Sequence, residues 1–300
     1  MSTTKQATEI KPELVLDARA TLGEGALWHP EEQVLYWVDI EGRKLHIFDP
    51  ATGEDRELPV GDRIGTVVPV AGGGALVALQ NGIHRIDTKT GKLTKLAAPI
   101  EEDDIRFNDG KCDPAGRFWV GTMALDTREG AAVLYRMDQD GSIHQVLDNL
   151  TISNGIVWTA DKRTLYLTDT PTQQVYAFDY DDTTGSISNR RVAISIPESE
   201  GSPDGMTLDA EGKLWIALHG GGAVARWDPE SGEMLQKITV PAPQTTSCAF
   251  GGKKLDTLYI TTAREGLQED QLQQYPGSGG IFSAKPDVRG VPADFYRGNV

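Results

Sequence analysis

Four side chains in this sequence are spaced as oxygen ligands from separate segments would be. Glu24 precedes Gly25, Asn154 precedes Gly155, Asp204 precedes Gly205, and Asn108 stands two residues before Gly110. Each opens an apolar run such as Ala26-Leu27-Trp28. About ten residues later comes a second run, such as Leu35-Tyr36-Trp37-Val38 or Leu214-Trp215-Ile216. One Pro-Asp-Gly alone is a turn signal. Four turns of one design at matching places read as one site drawn from several repeats. Two carboxylates brought together repel, and each is costly to bury. A bound cation removes that conflict, and these motifs bring no cationic side chain to replace it. An all-oxygen set suits Ca²⁺, Mg²⁺ or Mn²⁺ better than a soft-ligand site, with Zn²⁺ as a further candidate.

Other chemistries find little support. The five histidines (His29, His46, His84, His144, His219) show no paired spacing and read as strand or surface residues, His219 least clearly. There is no Gly-x-Ser-x-Gly elbow, His-Glu-x-x-His or phosphate loop. Gly220-Gly221-Gly222 reads as a tight turn. The two cysteines, Cys112 and Cys248, sit in apolar stretches and read as structural thiols.

The elements that must position the four residues are repeats. Six units recur at a period of roughly forty to fifty residues, each reading as four short strands. The third strand of most units ends in Phe-Asp, Ile-Asp, Met-Asp or Trp-Asp (Phe48-Asp49, Ile86-Asp87, Met137-Asp138, Phe178-Asp179, Trp227-Asp228) before a glycine-containing turn. That period with such strands predicts an all-β fold, a six-bladed β-propeller. The first strand of each blade lines the central channel. Glu24, Asn108, Asn154 and Asp204 then converge at one end of it, from units one, three, four and five. The matching place is Ile64-Gly65 in unit two and lies near Ser247-Cys248 in unit six. The sixth unit lacks an outer strand, and residues 13–18 are expected to supply it, closing the ring. Residues 1–12 read as a disordered segment and 13–300 as a single propeller domain. Irregular loops are expected at residues 124–132 and 264–279, where substrate contacts often lie.

Composition narrows the partners. The net charge of −15 disfavours nucleic acid. No apolar run approaches a membrane span, and the polar start is not a signal peptide. A cytoplasmic protein is expected, and a monomer.

Several motifs together resemble the gluconolactonase, regucalcin and senescence-marker-protein-30 family. They are Leu22-Gly23-Glu24-Gly25, Arg106-Phe107-Asn108-Asp109-Gly110-Lys111, Gly121-Thr122-Met123, Ser153-Asn154-Gly155, Pro203-Asp204-Gly205-Met206, Ser188-Asn189-Arg190-Arg191, Thr246-Ser247-Cys248 and Gly279-Gly280-Ile281-Phe282. The match runs from about Leu14 to the end. The resemblance implies hydrolysis of a sugar lactone with one divalent cation, Ca²⁺ foremost. It implies Glu24, Asn154 and Asp204 as metal ligands, and Asp204 also as acid/base. Arg106 and Asn108 correspond to substrate-binding residues. A further substrate contact, a glutamate in animal members, falls on Asp126, one methylene shorter. Two rivals stand beside this: a related propeller hydrolase acting on phosphotriesters or aryl lactones, and a non-catalytic calcium- or protein-binding propeller. The Gly-His and Trp-Asp pair per blade of protein-binding propellers is missing.

Overall fold

The computed structural model describes residues 10–300. It is a six-bladed β-propeller: six four-stranded antiparallel sheets, five of them built from four consecutive strands. The sixth takes three strands from the C-terminal part and its outermost from the N-terminal end. There Glu13–Leu16 pairs antiparallel with Ile281–Ala284, Leu14 opposite Phe282. The expected closing strand is present, shorter than residues 13–18. The expectation of disorder over residues 1–12 lies, for 1–9, outside the described residues. Ile10 packs against the cluster between blades five and six.

Burial follows distance from the axis. The inner strand Gly23–His29 is buried throughout, whereas in the outer strand Glu54–Pro59 only Leu58 is buried. This is why the inner strands read as apolar runs and the outer ones as polar. Among the described residues the apolar core falls into six clusters, one in each seam between neighbouring blades. The seam that closes the ring is filled by aromatics. Trp28 of blade one stacks on Tyr259 of blade six, ring centroids 5.5 Å apart.

Two buried aspartates fix the turns that follow the inner strands. Asp113 accepts hydrogen bonds from Arg117 Nε (2.7 Å), Trp119 Nε1 (2.9 Å) and Tyr180 OH (2.8 Å). Asp209 accepts in the same way from Trp215 Nε1 (3.0 Å) and Arg226 Nε (2.7 Å). Each tryptophan of a second strand is thereby tied to the turn before it, and the inner strand is held in register.

The far end of the channel is closed by the last residues of the chain. Residues 289–300 cross it from blade six to blade two. Gly290 N–H donates to Leu255 O (2.8 Å) and Ala210 N–H to Arg289 O (2.8 Å). Tyr296 N–H donates to Pro69 O (2.9 Å), and the buried Tyr296 hydroxyl donates to Asp138 O (2.8 Å). A cavity of about 90 Å³ remains above this strap, lined partly by Trp28, Cys112, Trp158, Phe250 and Lys111. The irregular loops fall where expected, and the second of them carries a short helix, Glu269–Gln274.

Candidate active site

The open end of the channel is built from the starts of the inner strands. In blades three, four and five the pairing of the inner strand with its neighbour slips by one residue. The irregularities fall between Phe107 and Gly110, Ser153 and Ile156, and Pro203 and Met206. Blade one has the same feature between Glu24 and Leu27. A bulge leaves residues unpaired and re-aims their side chains. Asn108, Asn154 and Asp204 lie in these bulges, and Glu24 lies at the edge of its own. In blade six the bulge falls between Thr245 and Ser247, so Thr246 rather than Cys248 occupies the matching place.

The glycines of these turns serve in two ways. Two of them hold a carboxylate through their N–H: Gly25 N–H donates to Glu24 Oε2 (3.1 Å) and Gly110 N–H to Asp109 Oδ1 (2.8 Å). At Gly155 and Gly205 the missing Cβ lets the next blade approach. A Cβ on Gly155 would lie 2.6 Å from Asp204 O, and one on Gly205 would lie 2.4 Å from Ser247 Oγ.

Glu24, Arg106, Asn108, Asn154 and Asp204 are all buried and gathered at this end. Asp204 is in contact with the side chains of Asn154 and Glu24. Burial, and after it the charge of Asp109, pushes its carboxyl up to about 8. Burial and then the charges of Asp204 and Asp109 hold the Glu24 carboxyl well above its usual range. Asn154 Nδ2 donates to Thr170 Oγ1 (3.1 Å), which donates on to Pro203 O (2.8 Å). Thr170 thus fixes the amide. Asn154 Oδ1 and Asp204 Oδ1 are buried without a hydrogen-bond partner. A divalent cation fits this set. It satisfies the free oxygens, and its charge favours the ionised carboxylates that burial alone disfavours.

Arg106 is not a surface residue. It is buried, and Nη1 donates to Phe107 O (2.9 Å) and to Asn108 Oδ1 (2.7 Å). Asn108 Nδ2 donates to Ser153 O (2.9 Å), so both ends of this amide are engaged. Burial lowers the pKa of Arg106, while the charges of Glu24, Glu41 and Glu265 favour its cation. A cationic side chain therefore does face Glu24, against the sequence expectation of none. A second, Lys111, is half-buried lower in the channel, where its ammonium donates to Met206 O; burial lowers its pKa, while the charge of Asp109 favours its cation. The structure does not bring Asp126 into the buried group. It lies on the rim with its side chain 56% exposed, 2.9 Å from Arg128 Nη1.

Three contributors were absent from the sequence reading: Asp109, Thr170 and Lys111. Asp109 had a signal. It directly precedes a glycine, as Glu24 and Asp204 do, although in the bulge it stands where blades four and five have Gly155 and Gly205. Thr170 and Lys111 act across blades, and no local spacing marks them.

Elsewhere, both cysteines are buried free thiols, and burial raises each pKa, that of Cys248 to about 12. The grouping His46, Asp55 and Glu57 sits on the outer strands of blade one, away from the channel. Its carboxylates are partnered: His46 Nδ1 lies 2.7 Å from Asp55 Oδ2, and Lys44 Nζ donates to Glu57 Oε2 (2.5 Å).

Comparison with known proteins places this arrangement. The family model described as "SMP-30/Gluconolactonase/LRE-like region" matches residues 22–264. The chain belongs to this family. It is 38% identical to the Bacillus subtilis (strain 168) protein named as sugar lactone lactonase YvrE, over 96% of this chain and 99% of that one. It is 38% identical to regucalcin of Danio rerio, over 97% of this chain and all of that one. The solved structure of a calcium-binding protein, regucalcin, from Agrobacterium tumefaciens superposes with a TM-score of 0.91 at 30% identity, covering 96% and 98% of the two chains. Among the described residues no helix is long and apolar enough to cross a membrane.

Proposed function

We propose that this protein hydrolyses a sugar lactone, an aldonolactone of the glucono- or pentono- type, to the open aldonic acid with the help of one divalent cation. The observation that carries the reading is the buried cluster of Glu24, Asn154 and Asp204, whose free oxygens Asn154 Oδ1 and Asp204 Oδ1 have no partner in the protein. These three residues would hold the cation, with Ca²⁺ the foremost candidate and Zn²⁺, Mn²⁺ and Mg²⁺ the alternatives. Bound there, it supplies a Lewis acid that polarises the lactone carbonyl and stabilises the charge developing on its oxygen.

The remaining steps belong to the chain itself. Asp204 takes a proton from the attacking water as the new C–O bond forms. The ring C–O bond then breaks, and the same carboxyl returns the proton to the departing ring oxygen, leaving a hydroxy acid. Burial of Asp204 keeps bulk water from competing with the substrate. Arg106 orients the sugar hydroxyls through the donors it does not spend on Phe107 and Asn108. Asn108, held at both ends, presents a fixed polar surface to a hydroxyl. Asp126 on the rim accepts hydrogen bonds from hydroxyls remote from the ring ester. The partner is a small-molecule lactone, and the protein acts as a cytoplasmic monomer.

The test is acid release from a panel of pentono- and hexonolactones, an aryl lactone and a phosphotriester, run on the native protein and on Asp126→Glu. The expected result is turnover confined largely to the sugar lactones, with their ranking altered in Asp126→Glu and cation affinity unchanged. Faster turnover of the phosphotriester or aryl lactone overturns the substrate class. Tight Ca²⁺ binding without turnover of any ester identifies a calcium-binding propeller instead. An unchanged ranking in Asp126→Glu removes that residue from the substrate site.

A further inference from the structure

We propose that the cavity at the closed end of the channel is a second binding site, and that it takes a small organic carboxylate of the size of acetate. The inference is independent of the cation at the open end.

Place and size come first. The wall of the cavity is drawn from the inner strands of blades one, three, four, five and six, and its floor from residues 291–294 of the strap. Its volume is about 90 Å³. An apolar cavity of about 150 Å³ holds benzene, so this one has room for about four heavy atoms. That excludes a whole sugar lactone and exceeds what a single water or chloride would fill.

The donors are the second point. Trp28 and Trp158 stand on opposite walls, in blades one and four, and are 4% and 8% exposed. Neither indole Nε1 has a hydrogen-bond partner. The benzo edge of Trp28 lies against blade six, where a Cβ on Gly251 would stand 2.5 Å from Cε3. The edge that carries Nε1 is thereby turned away from that blade. Lys111, also in the lining, spends one of its three donors on Met206 O. Among the described residues the lysines in ion pairs are Lys44, Lys162, Lys213 and Lys237, so the Lys111 ammonium has no paired carboxylate. Buried donors left unmade are costly. Water satisfies such donors alone, whereas a carboxylate also supplies a counter-ion, and its methyl end meets Val157 and Phe250. The carboxylate already in the lining, Asp294, lies 3.7 Å from Arg297 Nη2, which offsets its charge.

Access is the third. The strap is anchored on either side of the cavity, by Gly290 N–H to Leu255 O (2.8 Å) and by Tyr296 N–H to Pro69 O (2.9 Å). Between these anchors, residues 291–295 make no backbone hydrogen bond among the described residues. A span held only by its ends opens locally without unfolding the blades, and it is the route by which the ligand enters.

The experiment uses the full chain with nitrogen-labelled tryptophan. Acetate is titrated while the indole N–H signals are followed by NMR, and Trp28→Phe and Trp158→Phe assign the two signals of interest. Acetate at millimolar concentration is expected to move both signals and to saturate. Acetamide, its uncharged equivalent, is expected to bind at least tenfold more weakly, as is acetate to Lys111→Met. Signals that acetate leaves unmoved overturn the inference, and so does undiminished binding to Lys111→Met. Chloride that binds as tightly as acetate overturns the carboxylate class. Each titration is run on metal-free protein and again with Ca²⁺. Movement seen only with Ca²⁺ places acetate on the cation at the open end and refutes a second site. Should Lys111→Met fail to fold, the native protein decides: acetamide binding as well as acetate refutes the inference, and a tenfold preference for acetate supports it.

Discussion

Asp204→Asn is expected to lower turnover by roughly 10²–10⁴-fold at saturating cation, the range that a positioned proton transfer supplies. The substitution keeps the side-chain shape and an oxygen able to coordinate. It removes the charge and the site that accepts a proton. Glu24→Gln is the control, because it takes a charge from the same cluster and leaves the proposed base in place. Its activity is expected to return in good part as the cation is raised, and that of Asp204→Asn is not. Calorimetry on both variants sets the occupancy at which rates are compared. Near-normal turnover of Asp204→Asn at full occupancy would remove Asp204 as the base and leave it a ligand only.

Gly155→Ala is expected to weaken the cation at least tenfold, although no ligand is altered. A Cβ at this position would lie 2.6 Å from Asp204 O, 2.8 Å from Met206 Cγ and 2.9 Å from Met206 N. The clash is mainly with backbone, which cannot rotate away. Overpacking of this kind costs about 1–3 kcal/mol. Here it is relieved by moving the strand that presents Asp204. Calorimetric titration of the variant, with its melting temperature as a check on folding, gives the answer. Native affinity in Gly155→Ala would show that the blade four to blade five contact does not position Asp204.

The same close approach explains what the sequence could show. Repeated acid-glycine and amide-glycine turns were visible because one physical need recurs in several blades: a bulge, a side chain aimed inward, and no Cβ toward the next blade. The apolar second strands, Leu35-Tyr36-Trp37 and its counterparts, gave the repeat, and the missing outer strand of unit six gave the closure by Glu13–Leu16. Contacts between blades were not legible. Thr170, in the short 3-10 turn after the second strand of blade four, ties Asn154 to Pro203 O of blade five, and Lys111 crosses from blade three to Met206 in blade five. Such contacts have no local period. The burial of Arg106 was hidden for a related reason. Its neighbours Glu24, Glu41 and Glu265 come from distant parts of the chain, so the channel's internal positive charge appears only after folding. The strap of residues 289–300 carries no repeat signal, and its place across the channel follows from pairing with Pro69, Ala210 and Leu255.

The central claim is that the buried oxygens of Glu24, Asn154 and Asp204 act through a divalent cation. It is tested most directly by following acid release from a sugar lactone at fixed pH, using protein shown by elemental analysis to be metal-free and then titrated with Ca²⁺, Mn²⁺, Mg²⁺ or Zn²⁺. The account predicts background rates in the metal-free protein and recovery that saturates at one cation per chain. It also predicts a rise in melting temperature over the same range, since the ion binds the folded state alone. Full activity in the metal-free protein would contradict it.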